Sequence, residues 1–338
     1  MSNPMVTTYS LWSQFRNCRK GCDYRYLQGL VPISKDANLS FGALIHECLE
    51  LWHRERDLAK VLDHIDRAYP NRVQDEEQKK NRHLATAMMT GYAACFAEEK
   101  FHVIALEKGF KGRIINPSTG VSSRSFTIAG KVDGIVHLEG EYFLLEHKTA
   151  SQIDSGYLER LWTDFQIILY AWYVRETMGI PIAGIIYNIL VKAKLQQGKG
   201  ETEAEFEERK AELLAKSKTG KTSAQRKLPE SDADFQTRLA VKYAEPGIFQ
   251  REMLYISRDR YAVLQAELWE LTQAFLEARR RGHFYQNTAF CFHFNRPCAY
   301  YPICSADNPA NVIENHYQVT APHEELKNTD DNSNELAF

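Results

Sequence analysis

Hydrophobic residues recur at three- and four-residue intervals in four parts of the chain. These parts span residues 41–56, about 77–99, 161–177 and 261–281. This spacing places apolar side chains on one side of a helix, so the pattern predicts four amphipathic helices. In the first of them, Phe41, Ile45 and Leu49 share the apolar face.

Elsewhere the pattern has a period of two, which is typical of strands. Residues 125–138 and 141–148 flank Glu139-Gly140, so we predict a β-hairpin that turns at these two residues. Residues 184–191 and 249–256 are two further β-prone runs. The order helix, helix, hairpin, helix, strand, helix indicates an α/β or α+β core.

Composition narrows the class of protein. The 338 residues are 44% hydrophobic and 25% charged, which is typical of a globular chain with a full-sized core. With 42 Lys+Arg against 44 Asp+Glu, the net charge of -2 excludes a globally basic nucleic-acid coat but not a local basic patch. No apolar run approaches the roughly 20 residues of a membrane-spanning helix, and residues 1–8 lack a signal-peptide pattern. We therefore expect no membrane partner and a cytoplasmic location, in the host cytoplasm if the protein is viral.

The hairpin carries the strongest candidate chemistry. Asp133 lies on its first strand, and Glu146 and Lys148 lie on its second. Strand alternation predicts that Glu146 and Lys148 project to one side, whereas Leu145 and His147 project to the other. Two converging carboxylates repel each other unless a divalent metal binds them, and a neighbouring Lys can orient a metal-bound water. The ordinary alternative is a surface Glu–Lys pair on an amphipathic strand.

Two helices supply further candidates. His46 lies beside the apolar stripe of the first helix, and Gln166 and Tyr170 are four residues apart, so they share one helix face. Taken alone, each has a structural interpretation: a surface or core histidine, and the edge of an amphipathic helix.

Taken together, these residues resemble the RecB-type nucleases of the PD-(D/E)xK superfamily. The resemblance extends over roughly residues 8–308 and depends on the order of the motifs rather than on any one of them. The motifs are His46, Gly130-Lys-Val-Asp133, Glu146-His-Lys148 and Gln166-x-x-x-Tyr170. The resemblance implies a restriction-endonuclease-like α/β fold with a central mixed β-sheet flanked by helices.

The same resemblance implies a role for each motif residue. It implies that Mg²⁺ or Mn²⁺ is bound by the side chains of His46, Asp133 and Glu146 and by the backbone carbonyl of His147. Lys148 would position the nucleophile and stabilise charge on the attacked phosphate. Gln166 and Tyr170 would hold the scissile strand or support the cleft.

The seven cysteines are an odd number, which favours reduced thiols or metal ligands over a disulfide framework. Cys291, Cys298 and Cys304 are separated by six and five residues, a density typical of a metal site. A tetrahedral site needs a fourth ligand, for which Cys18 and Cys22 are candidates.

Residues 11–20 resemble the N-terminal segment of nucleases that carry an iron–sulfur cluster, found in CRISPR-associated, AddB-type and phage proteins. That resemblance implies a 4Fe–4S cluster that joins the two ends of the chain. Its implied ligands are Cys18, Cys291, Cys298 and Cys304. Arg19 and the wide C-terminal cysteine spacing depart from the usual pattern. Zn²⁺ is an alternative occupant, with His293 able to replace one cysteine.

We predict a single nuclease domain over residues 1–317, with a charged insertion at about 195–244. We expect residues 318–338 to form an acidic, disordered tail that resembles peptides docking on replication or recombination partners. Candidate contacts to a DNA backbone are Arg25, Tyr26, Lys216, Lys218 and Lys221. Their ordinary alternatives are a solvated loop and core aromatics.

The predicted function is that of a metal-dependent DNA exonuclease in recombination or end processing. By resemblance we expect 5′→3′ action on single-stranded or frayed ends, and a phage origin. One alternative is a catalytically inactive, DNA-binding scaffold subunit of a recombination complex. Another is a zinc protein in which the hairpin motif is accidental.

Overall fold

The computed structural model describes residues 3–33, 37–70, 75–293, 296–323 and 326. Ten strands occur in these residues. They are β1 Met5–Thr7, β2 Leu30–Pro32, β3 His102–Ile115, β4 Ser122–Leu138, β5 Glu141–Ala150, β6 Ile182–Val191, β7 Phe249–Tyr255, β8 Phe292–His293, β9 Arg296–Pro297 and β10 Tyr317–Val319.

Twelve α-helices accompany these strands in the same residues. They are α1 Tyr9–Asn17, α2 Arg19–Cys22, α3 Ala37–Glu55, α4 Leu58–Ala68, α5 Glu76–Cys95, α6 Ser155–Leu161, α7 Phe165–Met178, α8 Glu203–Lys216, α9 Asp232–Tyr243, α10 Arg258–Arg281, α11 Tyr301–Ser305 and α12 Pro309–His316. A π-helix follows α2 at Asp23–Leu27, and a 3-10 turn spans Thr288–Phe290.

Six strands form the central mixed sheet, in the order β1-β4-β5-β6-β7 with β3 on the other edge of β4. Strands β1 and β4 are parallel, as are β5 and β6, and the remaining pairs are antiparallel. Strand β4 is shared along one edge, because β1 pairs with it at residues 126–128 and β5 at residues 134–138. Between these two pairings, β4 and β5 diverge.

Hydrophobic cores lie on both sides of this sheet. One core joins the sheet to α1, α7 and α10 and includes Trp12, Phe126 and Phe275. A second core, which includes Leu49 and Met88, packs α3, α4, α5 and α9 together. Strand alternation therefore buries both faces of the central strands, as expected for a sheet covered by helices.

The predicted hairpin is confirmed, including its turn. Leu138 pairs with Glu141, and Glu139 and Gly140 have φ values of 51° and 89°. Two positive φ values in a two-residue loop match the twist of the flanking strands, and glycine adopts such a conformation without strain. The four predicted helices are also present, although the third is interrupted at residues 162–164, between α6 and α7.

The two ends of the chain pack against each other. Strand β2 pairs antiparallel with β10, and the Tyr300 hydroxyl donates to the Leu30 carbonyl at 2.9 Å. Further on, Nδ1 of His323 lies 3.2 Å from the Thr8 hydroxyl. Packing thus extends to residue 323, six residues beyond the predicted end of the domain at 317. The acidic stretch 327–338 lies outside the described residues.

Candidate active site

The candidate catalytic residues meet where β4 and β5 separate. The last pair on this side of the ladder joins Gly134 to Leu145, so Asp133 and Glu146 are the first residues beyond it. We call this point, formed by Asp133 and Glu146, the fork. Divergence of two central strands opens a cleft and leaves backbone groups there free to bind side chains.

Asp133 connects the fork to helix α3. Its Oδ2 accepts a hydrogen bond from the backbone N–H of His147 at 2.8 Å. The same oxygen lies 3.4 Å from Nδ1 of His46, which projects from α3. Helix α3, which the sequence predicts to be amphipathic, therefore places His46 at the fork.

Lys148 connects the fork to helix α7. Its Nζ donates to Oε1 of Glu146 at 2.6 Å and to Oε1 of Gln166 at 3.4 Å. Helix α7 begins beside the cleft because the carboxylate of Asp164 caps it, accepting the Gln166 N–H at 2.9 Å. Glu146 and Lys148 thus share one side of β5, as strand alternation predicts.

The two carboxylates at the fork respond to their surroundings in opposite ways. Burial opposes ionisation of Asp133, but the His46 imidazole and the His147 N–H outweigh it, so the pKa of Asp133 is lowered. For Glu146, burial and then the charge of Asp133 raise the pKa, against the opposing effect of Lys148. The pKa of Lys148 is raised because nearby carboxylates, chiefly Glu146, overcome its burial. Asp133 therefore favours its ionised form, whereas Glu146 favours its protonated form.

The donor types at the fork fit a hard divalent cation, since such cations favour carboxylate oxygens. Repulsion between Asp133 and Glu146 is the electrostatic feature that such a cation would relieve. In the part of the chain that the structure describes, no three His, Cys, Asp or Glu side chains are arranged to hold a metal ion. One carboxylate oxygen of Glu146 accepts a hydrogen bond from Lys148, and one of Asp133 accepts from the His147 N–H.

Tyr170 supports the strand that carries Asp133. Its ring packs edge-on against Phe110 at 5.3 Å between ring centroids. A Cβ atom on Gly130 would lie 2.5 Å from the Phe110 ring and 3.1 Å from the Tyr170 ring. Glycine in the Gly130-Lys-Val-Asp133 motif therefore allows α7 to approach β4 closely. Gln166, one helical turn earlier, reaches the fork itself.

Two residues of the cleft were missed by sequence reasoning. Asp164 lies near enough to Lys148 to raise its pKa, and Tyr9 is within the electrostatic influence of both. The Tyr9 ring also meets Tyr170 edge-on at 6.5 Å. Asp164 was recognisable as an N-cap before an apolar helix, whereas no local pattern marks Tyr9.

The four cysteines predicted to bind a cluster lie in one region. Burial raises the pKa of Cys304, and the thiols of Cys298, Cys18 and Cys291 raise it further. The two ends of the chain meet there, since the backbone N–H of Asn287 donates to Sγ of Cys18 at 3.5 Å. As they stand, these thiols are not arranged as metal ligands within the described residues.

The alternative fourth ligand, Cys22, is fully buried in the core and its thiol donates to the Leu11 carbonyl at 3.8 Å.

The predicted DNA contacts divide into two groups. Arg25 donates to the Thr320 hydroxyl at 3.2 Å, and Tyr26 stacks on His323, so both contact the C-terminal segment.

The other group, Lys216, Lys218 and Lys221, is exposed at the end of α8 and in the loop that follows it. Lys216 lies 3.6 Å from Glu212. Helix α8 buries none of its residues, and it begins with a capping box between Thr202 and Glu205. The predicted insertion therefore contains one exposed helix, α8, and a second helix, α9, that packs on α5.

No helix in the described residues combines the length and the apolar character needed to cross a membrane. A comparison with curated proteins finds no match. Residues 7–305 match the model of the PD-(D/E)XK nuclease superfamily, an interval that contains strands β3 to β7 of the central sheet and the fork. A mixed sheet flanked by helices is consistent with the restriction-endonuclease-like fold that the sequence predicts. The chain therefore belongs to the PD-(D/E)XK nuclease superfamily.

Proposed function

We propose that this protein is a Mg²⁺- or Mn²⁺-dependent deoxyribonuclease of the RecB type, acting as an exonuclease on single-stranded or frayed DNA ends in recombination or end processing. The observation that carries the proposal is the arrangement at the fork. There Lys148 binds Glu146 at 2.6 Å, beside an Asp133 that pairs with His46 at 3.4 Å. Digestion in the 5′→3′ direction and a phage origin are the finer parts of the proposal and rest on sequence resemblance.

Each residue has a chemical task in this proposal. His46, Asp133, Glu146 and the His147 carbonyl would hold the cation, which supplies Lewis-acid activation of water and neutralises phosphate charge. Lys148 orients the attacking water and stabilises negative charge on the phosphate. Gln166 fixes the ammonium group of Lys148 from the other side. Burial of the fork strengthens these electrostatic interactions relative to water.

The test is digestion of end-labelled DNA with Mg²⁺ or Mn²⁺, comparing linear single strands, linear duplexes and closed circles. We expect the linear substrates to be degraded and the circles to persist. Glu146→Ala and Lys148→Ala should each lower the rate by about a hundredfold or more. Lys79→Ala, which removes a 2.8 Å ion pair with Asp232 between α5 and α9, is the matched control and should leave the rate unchanged.

Undiminished cleavage by either fork variant would refute the assigned roles. Tight DNA binding without turnover, under any divalent metal, would instead favour the scaffold function. Cleavage of closed circles would favour an endonuclease. The position of the label in the first products gives the polarity.

We further propose that Cys18, Cys291, Cys298 and Cys304 bind a 4Fe–4S cluster, with Zn²⁺ as the alternative. Support comes from the thiols' common location and from the raised pKa of Cys298 and Cys304, caused by burial and by the neighbouring thiols. A bound metal centre would lower these pKa values, because it binds and stabilises the thiolate form. The role of such a cluster would be structural, because it lies where the chain ends already meet.

A further inference from the structure

The ring of His147 points away from the fork and belongs to a buried polar network. It projects to the face of β5 opposite Glu146 and Lys148, and the residue is 2% exposed. Its Nδ1 lies 2.9 Å from the amide nitrogen of Asn188 on β6. An amide nitrogen can only donate, so Nδ1 accepts and the ring proton is on Nε2.

The orientation of Asn188 is fixed by a second contact. Its Oδ1 accepts from Nε of Arg251 on β7 at 3.4 Å, which directs the amide nitrogen towards His147. The same nitrogen also donates to the Tyr92 hydroxyl on α5 at 3.0 Å. Arg251 is itself held by Glu99 through two hydrogen bonds, one of them 2.9 Å long. A partly buried ion pair therefore anchors the network at its far end.

The Tyr92 hydroxyl connects the network to helix α3. It accepts from Asn188 and from Arg251, the latter at 3.1 Å, so its own proton is directed to Nε2 of His53 at 3.2 Å. The hydrogen bonds of this network thus have one consistent direction, whereas Nε2 of His147 and Nδ1 of His53 have no hydrogen-bond partner among the described residues. His53 lies two helical turns after His46 on the same face of α3.

Three imidazole rings complete the connection between network and fork. The His53 ring is parallel to the His147 ring, with centroids 5.5 Å apart and an 8° interplanar angle. On another side, the His147 ring meets His46 edge-on at 5.9 Å. The His147 ring is therefore fixed between two histidines of α3, while the backbone N–H of His147 donates to Asp133.

We propose that Tyr92, Asn188 and Arg251 are positioning residues of the metal site. They hold the His147 ring and, through it, keep the His147 peptide and His46 in the arrangement that binds a divalent cation. This inference rests on the proposed function, because it assigns these residues to the same site. They touch neither substrate nor metal, and they act through His147 and His46.

The first test compares Tyr92→Phe with Tyr243→Phe in the full-length protein. Both variants delete a buried hydroxyl from a ring that packs on Phe249. Among the described residues, however, the Tyr243 hydroxyl accepts from the Ala193 N–H, at 3.1 Å, and not from the network of His147. We expect Tyr92→Phe to weaken Mn²⁺ binding, measured by calorimetry without DNA, by about tenfold. Tyr243→Phe should bind Mn²⁺ as the wild type does.

Kinetics provide a second readout. At saturating Mn²⁺, Tyr92→Phe should lower kcat and leave KM for DNA unchanged, because DNA contacts are not affected. Equal Mn²⁺ affinity in the two variants would overturn the inference and leave only a structural role. Failure of the wild type to bind Mn²⁺ and cleave DNA would refute the proposed function itself.

A second pair of variants keeps the inference testable if Tyr92→Phe does not fold. Asn188→Asp retains an oxygen that can hold the His147 ring with its proton moved to Nδ1, whereas Asn188→Ala leaves no partner. We expect Asn188→Ala to lose about tenfold in Mn²⁺ affinity and Asn188→Asp to lose clearly less. Equal losses in both variants would contradict positioning by this contact.

Discussion

Glu146 is a buried carboxylate that lies next to a second one, and this shapes its protonation. Burial and the charge of Asp133 favour the protonated form and raise its pKa above the ordinary value of 4.5. In the folded protein Glu146 therefore holds its proton at a higher pH than in the unfolded chain. Its contribution to the free energy of unfolding must then decrease as the pH rises above about 4.5.

This sign can be tested with Glu146→Gln in chelator. The loss of stability between pH 5 and pH 8 should be smaller in the variant than in the wild type, because the ionisation that disfavours folding has been removed. Denaturant unfolding at each pH measures the difference. Adding Mn²⁺ at pH 8 should then stabilise the wild type more than Glu146→Gln. A steeper loss in the variant would contradict the raised pKa.

Single residues differ in how far the sequence reveals them. Asp133, Glu146 and Lys148 were recognisable because a hairpin brings neighbours in sequence to one place. Asn188 and Arg251 were not, since Asn188 is a single amide in an apolar strand and Arg251 is the middle one of three consecutive polar residues in β7. Their proximity to His147 depends on the strand order β5-β6-β7, which no local sequence pattern predicts.

Within single elements, the motif glycine of β4 sets how closely α7 can approach. Gly130→Ala would place a Cβ 2.5 Å from the Phe110 ring, so one of the packed rings must move. We expect a loss of about 1–3 kcal/mol in the free energy of unfolding, together with reduced cleavage because Tyr170 and Asp133 shift.

Gly156→Ala on α6 is the matched control for this change. There the nearest atom to the new Cβ is 3.6 Å away, and alanine favours a helix by up to about 1 kcal/mol. This variant should be as stable as the wild type or more stable, by thermal or denaturant unfolding. Equal destabilisation in both variants would show that the close approach at Gly130 is not the cause.

Some elements followed from the pattern and others did not. Strands β4 and β5 were predicted, but β3, which pairs with β4 over most of its length, was not. Gly109 and Gly112 interrupt its apolar alternation, and Lys108 and Lys111 make it polar. It lies opposite β4 because tertiary pairing overrides its weak local preference. The break before α7 was missed because Trp162 keeps the apolar spacing intact.

At the scale of the whole molecule, the proposed cluster would hold together the two ends of the chain. Anaerobically purified wild type should be brown, and Cys18→Ser should lose the visible absorbance and unfold at a lower temperature. Cys95→Ser is the control, since this cysteine is exposed at the end of α5. A colourless wild type that contains zinc would support Zn²⁺, whereas a wild type with neither metal would refute the cluster.

The pairing of β2 with β10 also limits when folding can be completed during translation. Residues 30–32 leave the ribosome nearly 300 positions before their partners at 317–319. At about 5–20 residues per second, that delay is roughly 15 to 60 s. During this delay, residues 30–32 lack their strand partner and are available to chaperones or to a neighbouring nascent chain. Residues 30–32 should therefore gain protease resistance only after residues 317–319 have been made.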